Sequence, residues 1–513
     1  MTQPIRLLRG FATVGVWTLL SRILGFVRDI LIAGFLGSGP VAEAFLIAFS
    51  LPNMFRRFFA EGAFNMAFVP MFSKKVEKET DAHGFARDAF TGLGTLLIAF
   101  TLVAQVFMPG LVLLMASGFA EDQRFDLAVL FGRIAFPYIL FISLAALLSG
   151  VLNATGRFVA AAAAPVLLNI LLITALSAAW SLGWDIGLTL AWTVPVAGVA
   201  QMALVWIAAA RAGYPLIPKR PTFTPELKRL AIIAAPAALA GGVVQVNLLV
   251  GRQVASYFDG AIAWLNYADR LYQLPLGVVA IAIGVVLLPD LSRKLQAEDT
   301  AGGREAFNRA GEVALALTIP SAVALMVIPT PLVSVLFERG AFDADDTAAT
   351  AIAVAIYGAG LPAFVLQKVI QPLYFAREDT RRPFYFALVA MVVNAVLAIG
   401  LASIFGYVAA ALGTTIAGWV MAWLLWRFAS RFGEAAQFDD RFKRRVPRIV
   451  IASVIMGVAL NAVYLLLLPF FGIATLRYLA LAVLVTAGIA TYGLAGQLIG
   501  AFRIRDFKTA LRR

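Results

Sequence analysis

Val159-Ala160-Ala161-Ala162-Ala163-Ala164-Pro165-Val166-Leu167-Leu168-Asn169-Ile170-Leu171-Leu172-Ile173-Thr174-Ala175-Leu176-Ser177-Ala178-Ala179-Trp180 is an apolar run without one charged side chain. Coiled at about 1.5 Å per residue, it crosses roughly 30 Å of hydrocarbon. Runs of the same kind recur from end to end. Polar breaks separate about fourteen spans, near 8–35, 41–72, 89–115, 127–150, 159–180, 187–210, 230–257, 262–291, 308–336, 348–375, 384–404, 407–427, 449–469 and 476–501. Apolar residues make up 61% of the 513 and charged residues 14%, too few to coat a water-soluble core of this size. Continuous apolar runs satisfy their own backbone in lipid only as helices, so the fold class is an all-α polytopic membrane protein. No polar stretch exceeds about 25 residues, which leaves no room for a soluble catalytic domain. A transporter, not an enzyme, is expected.

Orientation follows from the basic residues. The N-terminus, 73–88, 151–158, 211–229, 292–307, 376–383, 427–448 and the C-terminal tail hold 30 of the 42, including Lys443, Arg444 and Arg445. The alternate loops hold two, Arg124 and Arg339, beside acids such as Asp343, Asp345 and Asp346. Positive loops stay inside, so both termini are expected in the cytoplasm. The net charge of +13 is thereby spent on topology rather than on nucleic acid. Arg22 and Arg28 interrupt what would be the apolar core of a cleavable signal, so none is expected. With no cysteine there is no disulfide and no thiolate metal site. His83, the one histidine, lies in a polar loop and reads as solvated.

The chain also repeats itself. Leu51-Pro52 and then Val69-Pro70-Met71-Phe72-Ser73-Lys74-Lys75 recur as Leu274-Pro275 and then Leu288-Pro289-Asp290-Leu291-Ser292-Arg293-Lys294. Pro137 and Asn169 recur as Pro362 and Asn394. This predicts two parallel six-helix repeats, 1–222 and 223–430, with 431–513 as a two-helix C-terminal appendage. An even number of spans per repeat puts the axis along the membrane normal, with a site between halves. Chance matching of apolar sequence is the competing explanation.

Ten basic residues fall inside or at the edge of spans. Arg22 and Arg28 lie in the first, Arg56 and Arg57 in the second, Arg252 in the seventh and Arg270 in the eighth. An arginine at the bilayer centre costs about 2.5–3.5 kcal/mol, so four cost on the order of 10 kcal/mol unless partners, water or ligand receive them. Each has a structural explanation. Arg57 pairs with Glu61 one turn on, Arg28 adjoins Asp29, Arg270 adjoins Asp269, and Arg252 can snorkel. Together they leave surplus positive charge with few intramembrane acids, which predicts an anionic ligand, and Arg is suited to bidentate grip on phosphate. Arg22 and Asp29 share a helical face with Arg28 about 100° away, and Gly25 and Pro52 invite bends that would turn these charges toward one cavity. Lys368 in the tenth span is a second-rank candidate.

Ser21-Arg22-Ile23-Leu24-Gly25-Phe26-Val27-Arg28-Asp29 resembles the first-span signature of the MurJ (MviN) lipid II flippases. So does Leu51-Pro52-Asn53-Met54-Phe55-Arg56-Arg57-Phe58-Phe59-Ala60-Glu61-Gly62-Ala63-Phe64 with Ala67-Phe68-Val69-Pro70 after it. Tyr267-Ala268-Asp269-Arg270-Leu271 and the loop Phe375-Ala376-Arg377-Glu378-Asp379-Thr380 match as well. The resemblance covers essentially the whole chain. It implies the fold of the multidrug/oligosaccharidyl-lipid/polysaccharide exporter superfamily in the bacterial inner membrane. It implies a cationic central cavity for lipid II, the undecaprenyl-diphosphate-linked disaccharide peptide, worked by alternating access, with a groove for the polyprenyl tail in the last two spans. Arg22, Arg28, Arg56 and Arg270 match substrate-binding charges. Asp29 matches a gate residue; Glu61, Asp269 and Arg57 are expected as supporting charges, as is Arg252, which is not a family-wide position. Glu43 and Gln273 depart from the family's usual acids.

No G-x-x-x-x-G-K-[ST] motif is present, so no cofactor is expected and the membrane potential is the natural energy source. Membrane lipids and the cell-wall synthesis machinery are the partners this implies. The alternatives are a related lipid-linked oligosaccharide flippase or a cation-coupled exporter of the same superfamily, which should show lone intramembrane acids. A polyprenyl-phosphate enzyme would want metal-binding acids in its loops, but Glu77, Glu79 and Asp81 alternate with other loop residues and read as solvated. A scaffold gives no reason for buried charge.

Overall fold

Apolar runs become helices, and the polar residues between them decide where each begins. The computed structural model describes residues 3–57, 63–282, 291, 293, 294, 297 and 299–502. The helices are α1 (Gln3–Leu36), α2 (Pro40–Arg56), α3 (Ala63–Glu77), α4 (Ala82–Val106), α5 (Met108–Met115), α6 (Gln123–Ala135), α7 (Tyr138–Ala154), α8 (Val159–Leu182), α9 (Ile186–Arg211) and α10 (Pro225–Ala255). They continue as α11 (Ala261–Ala282), α12 (Thr300–Val327), α13 (Pro329–Phe337), α14 (Ala344–Phe375), α15 (Arg381–Gly400), α16 (Ala402–Phe405), α17 (Val408–Ala429), α18 (Asp440–Phe471) and α19 (Arg477–Ile499). No strand forms among the described residues. Side-chain oxygens of Asp81, Asp122, Asp185, Thr224, Asp299, Asp343 and Asp439 cap the first turns of α4, α6, α9, α10, α12, α14 and α18, satisfying amides that a helix leaves open.

Each interval read as a span contains a helix, and several contain two. The span at 41–72 is α2 and α3, with the residues between them outside those described. Pro109 and Pro329 open α5 and α13, and Pro137 lies where α6 and α7 meet at 40°. Proline has no N–H for the preceding turn, so a break costs least there. Pro52 does not interrupt α2, and α1 runs through Gly25 without a break. Among the described residues nine helices are long and apolar enough to cross a membrane, ten if α6–α7 is one span. The chain is a multi-pass membrane protein.

The chain divides into two compact units. The first is Met1–Ala263 with Arg339–Phe342. Here α1 packs on α8, α8 and α7 on α9, α2 on α6, and α3 on α7 and α10. Buried polar groups tie the helices: the Tyr138 hydroxyl donates to Gln201 Oε1 at 3.1 Å, and Gln201 Nε2 to the Ala164 carbonyl at 2.8 Å. At the end of α1 the Ala341 amide donates to the Gly34 carbonyl at 2.8 Å. Gly37, at φ +61°, admits the Ala341 carbonyl to 2.4 Å from where a Cβ would lie, an approach open to glycine alone. Trp180, Trp184 and Trp192 are exposed around the α8–α9 turn, as aromatics at a membrane–water boundary are.

The second unit is Trp264–Glu338 with Asp343–Arg513. Its centre is α14, packed on α12 and α17, with α15 on α17 and α18 on α12 and α19. Val279, Phe307, Val365, Leu373 and Tyr374 form its main core, and the Tyr374 hydroxyl donates to the Leu425 carbonyl at 2.6 Å. The last two helices meet through Met456, Leu460 and Leu484, and the Tyr492 hydroxyl reaches the Ala316 carbonyl of α12 at 2.6 Å.

Candidate functional site

Arg28 is buried in the first unit, 7% exposed, beside Asp29 at 2%. Its Nε and Nη2 donate to Asp29 Oδ1 at 3.0 and 2.7 Å, and its Nη1 to Asn169 Oδ1 at 3.0 Å. Its carbon lies 5.7 Å from the Phe49 ring centre. The sequence offered Asp29 as a neighbouring partner for Arg28, though about 100° away around the helix. The long arginine side chain turns back along α1 and closes that gap, so the two form one pair. Three of the five guanidinium N–H groups are thereby used. The remaining two, one on each terminal nitrogen, meet no acceptor among the described residues.

The other arginines of this unit sit differently. Arg22 is exposed on α1, Arg56 is half-buried in the last turn of α2, and Arg57 is exposed just beyond it. Glu61, the expected partner of Arg57, lies outside the described residues. Arg252 is half-buried in the last turn of α10.

In the second unit Asp269 and Arg270 are half-buried on α11. Gln273 Nε2 donates to Asp269 Oδ2 one turn away. The Tyr272 ring lies 5.3 Å from Tyr357 and 5.9 Å from Phe364. The amide at position 273 thus supports Asp269 where an acid would repel it. Lys368 is exposed on α14.

A second charged cluster went unread in the sequence. Arg124, counted there as a loop cation, is 5% exposed, and Glu43 is 1% exposed. Arg124 Nη1 meets Glu43 Oε2 at 2.9 Å, and its Nη2 meets Asp122 Oδ2 at 2.5 Å and Asp259 Oδ1 at 3.0 Å. Glu43 Oε1 accepts from the Ile262 amide at 2.9 Å, and Arg124 also stacks 4.5 Å from the Phe119 ring centre. Burial opposes charge at Asp122 and Arg124, but their mutual hydrogen bonds outweigh it. The Asp122 carboxyl is held below its ordinary value. Local pattern gave no sign of the buried Glu43 partner, because Glu43 and Arg124 are 81 positions apart.

His83 is half-buried and stacks on Tyr214 at 6.3 Å, in an open pocket of about 470 Å³ that Lys75 and Asp81 also line. Among the described residues no three His, Asp or Glu side chains gather closely enough to hold a metal ion.

The model of the family "Lipid II flippase MurJ" matches residues 32–484. A probable lipid II flippase MurJ of Rhizobium meliloti is 44% identical over 99% of this chain and 96% of its own length. The lipid II flippase MurJ of Burkholderia cenocepacia is 38% identical over 76% of this chain and 77% of its own. Among solved structures, a lipid II flippase MurJ in an inward closed conformation superposes with a TM-score of 0.79 at 26% identity, covering 98% of this chain and 99% of that one. An inward-facing multidrug transporter of the MATE family and MOP superfamily gives 0.64 at 15% identity over 81% and 95%, a likeness of fold alone.

Proposed function

The chain belongs to the lipid II flippase MurJ family, and from that premise we propose that it carries lipid II from the cytoplasmic to the periplasmic leaflet by alternating access. The observation that carries this reading is the sustained 44% identity over nearly the whole of both chains. A diphosphate cannot enter hydrocarbon without losing its hydration, and an arginine placed there loses its own. A protein that brings the two together reduces both costs. We assign Arg22, Arg28, Arg56 and Arg270 to that role, lining one cavity, with Asp29, Asp269, Arg57, Arg252 and Glu61 as supporting or gating charges. Arg28 keeps two N–H groups that meet no acceptor among the described residues, which supports this reading.

The lobes 1–222 and 223–430 are proposed to be parallel repeats, with 431–513 appended. The fourth and fifth spans pack on the sixth in one unit, and the tenth and eleventh on the twelfth in the other, which supports duplication. Cytoplasmic termini follow from the basic loops. Direction is then set by the membrane potential, worth roughly 2.3 kcal/mol per charge per 100 mV. Partners in the cell-wall synthesis machinery belong to the same proposal.

The test is complementation of flippase-depleted cells by Arg270→Ala and Arg22→Ala, read beside the amount of protein in the membrane. Loss of growth at normal protein level is expected, with partial rescue by lysine, which keeps charge but not the planar fork. Full growth of both alanine variants overturns the site.

A further inference from the structure

Asn169 lies in the middle of the uncharged run of α8, where an amide side chain is costly unless it is used. It is 5% exposed and used twice over. Its Oδ1 accepts from Arg28 Nη1 at 3.0 Å, while its Nδ2 donates to the Ser21 carbonyl at 3.0 Å and lies 3.3 Å from the Pro165 carbonyl. Ser21 and Arg28 are seven residues apart on α1, yet one amide reaches both. Side chains on a helix lean toward its N-terminus, so the Arg28 guanidinium comes back to the level of Gly25. The Ser21 carbonyl points forward to the same level. Gly25 leaves the space between them open: a Cβ there would stand 3.6 Å from both Asn169 Nδ2 and Oδ1.

We propose that Asn169 is a positioning residue for substrate recognition, holding the Arg28 guanidinium so that its two unused N–H groups face anionic oxygens. Asp29 fixes one edge of the planar group, and a single partner would leave it free to swing about that contact. Asn169 supplies the second anchor and clamps it to the backbone of α1. It does so without charge. An aspartate at this position would also accept from Nη1, but the cluster would then carry one surplus negative charge and repel a diphosphate. A neutral acceptor keeps the Arg28–Asp29 pair balanced and leaves the incoming anion as the next negative partner.

This rests on Arg28 being a substrate ligand, and the test separates the two claims. Lipid II binding to the purified full-length chain is measured by native mass spectrometry for four proteins: the parent, Asn169→Leu, the neutral pair Arg28→Gln/Asp29→Asn, and the triple variant. Asn169→Leu strands little, because the Ser21 carbonyl keeps its helical partner and Arg28 keeps Asp29. At least tenfold weaker binding is expected for Asn169→Leu and for the neutral pair. The triple variant should bind no worse than the neutral pair, since Asn169 acts only through Arg28. Parent-like binding by the neutral pair overturns the assignment of Arg28 itself. Weak binding by the neutral pair with parent-like binding by Asn169→Leu overturns the positioning role alone, as does a triple variant whose losses multiply. Should Asn169→Leu not purify folded, Asn169→Ser is read by the same criteria.

Discussion

Arg28→Ala tests whether the buried pair in α1 is a strut, a ligand or both. The substitution removes three hydrogen bonds, two of them to the Asp29 carboxylate, which is 2% exposed. Breaking a buried pair by removing one partner costs about 3–5 kcal/mol, because the surviving carboxylate loses the guanidinium that faces it. Replacing both partners by neutral groups of similar shape costs far less, roughly 1 kcal/mol or nothing. Arg28→Ala should therefore unfold at clearly lower temperature than the parent, while Arg28→Gln/Asp29→Asn should stay near it. Transport should separate from stability. The neutral pair, though folded, lacks the Arg28 cation for the diphosphate and should fail to sustain flippase-depleted cells. Thermal unfolding in detergent, followed by light scattering, and complementation at matched membrane levels provide the two readouts. Two results refute the reasoning. An Arg28→Ala protein as stable as the parent means that Asp29 is not stranded, and growth on the neutral pair means that the pair is only a strut.

The cluster at Arg124 makes a graded series. Arg124→Ala should cost roughly 3–5 kcal/mol by stranding Glu43, whereas Asp259→Asn, at the 95% exposed rim, should change stability by no more than about 0.5 kcal/mol; equal effects in thermal unfolding would contradict the burial order. The Asp122 carboxyl is held below its ordinary value, so its contribution is complete at neutral pH and is lost only as pH falls through that lowered value. An Asp122→Asn variant should accordingly lose its stability deficit relative to the parent in acid, and a deficit that grows instead would reverse the sign. The chain has no cysteine of its own, so cysteines placed at Ser38 and Asp345 should react with an impermeant maleimide from the periplasm and one at Lys78 only from the cytoplasm. The opposite labelling overturns the proposed orientation.

What sequence discloses and what it hides divide along physical lines. Crossing hydrocarbon is a one-dimensional requirement, met residue by residue, so the positions of helices were legible from apolar runs and polar breaks. Caps such as Asp185 and Asp343 are equally local, each reaching amides two or three residues on. Breaks were harder. Pro52 and Pro137 look alike in sequence, but α2 continues through the first while α6 and α7 part at the second. Charges were hardest of all. Adjacency offered Asp29 as a partner for Arg28 but gave no sign of Asn169, and loop membership set Arg124 in water. Both guanidiniums instead bury against partners brought in from 141 and 81 positions away. The cost of a charge in a low-dielectric setting guarantees that something must meet it. Which atoms meet it is settled by tertiary contact. Asn169 is the clearest case: in sequence it is one polar residue in an apolar run, matched to Asn394 as a mark of repetition. In the fold it is the acceptor that fixes Arg28 without neutralising it, and a neutral acceptor beside a cation is what an anion-binding site requires.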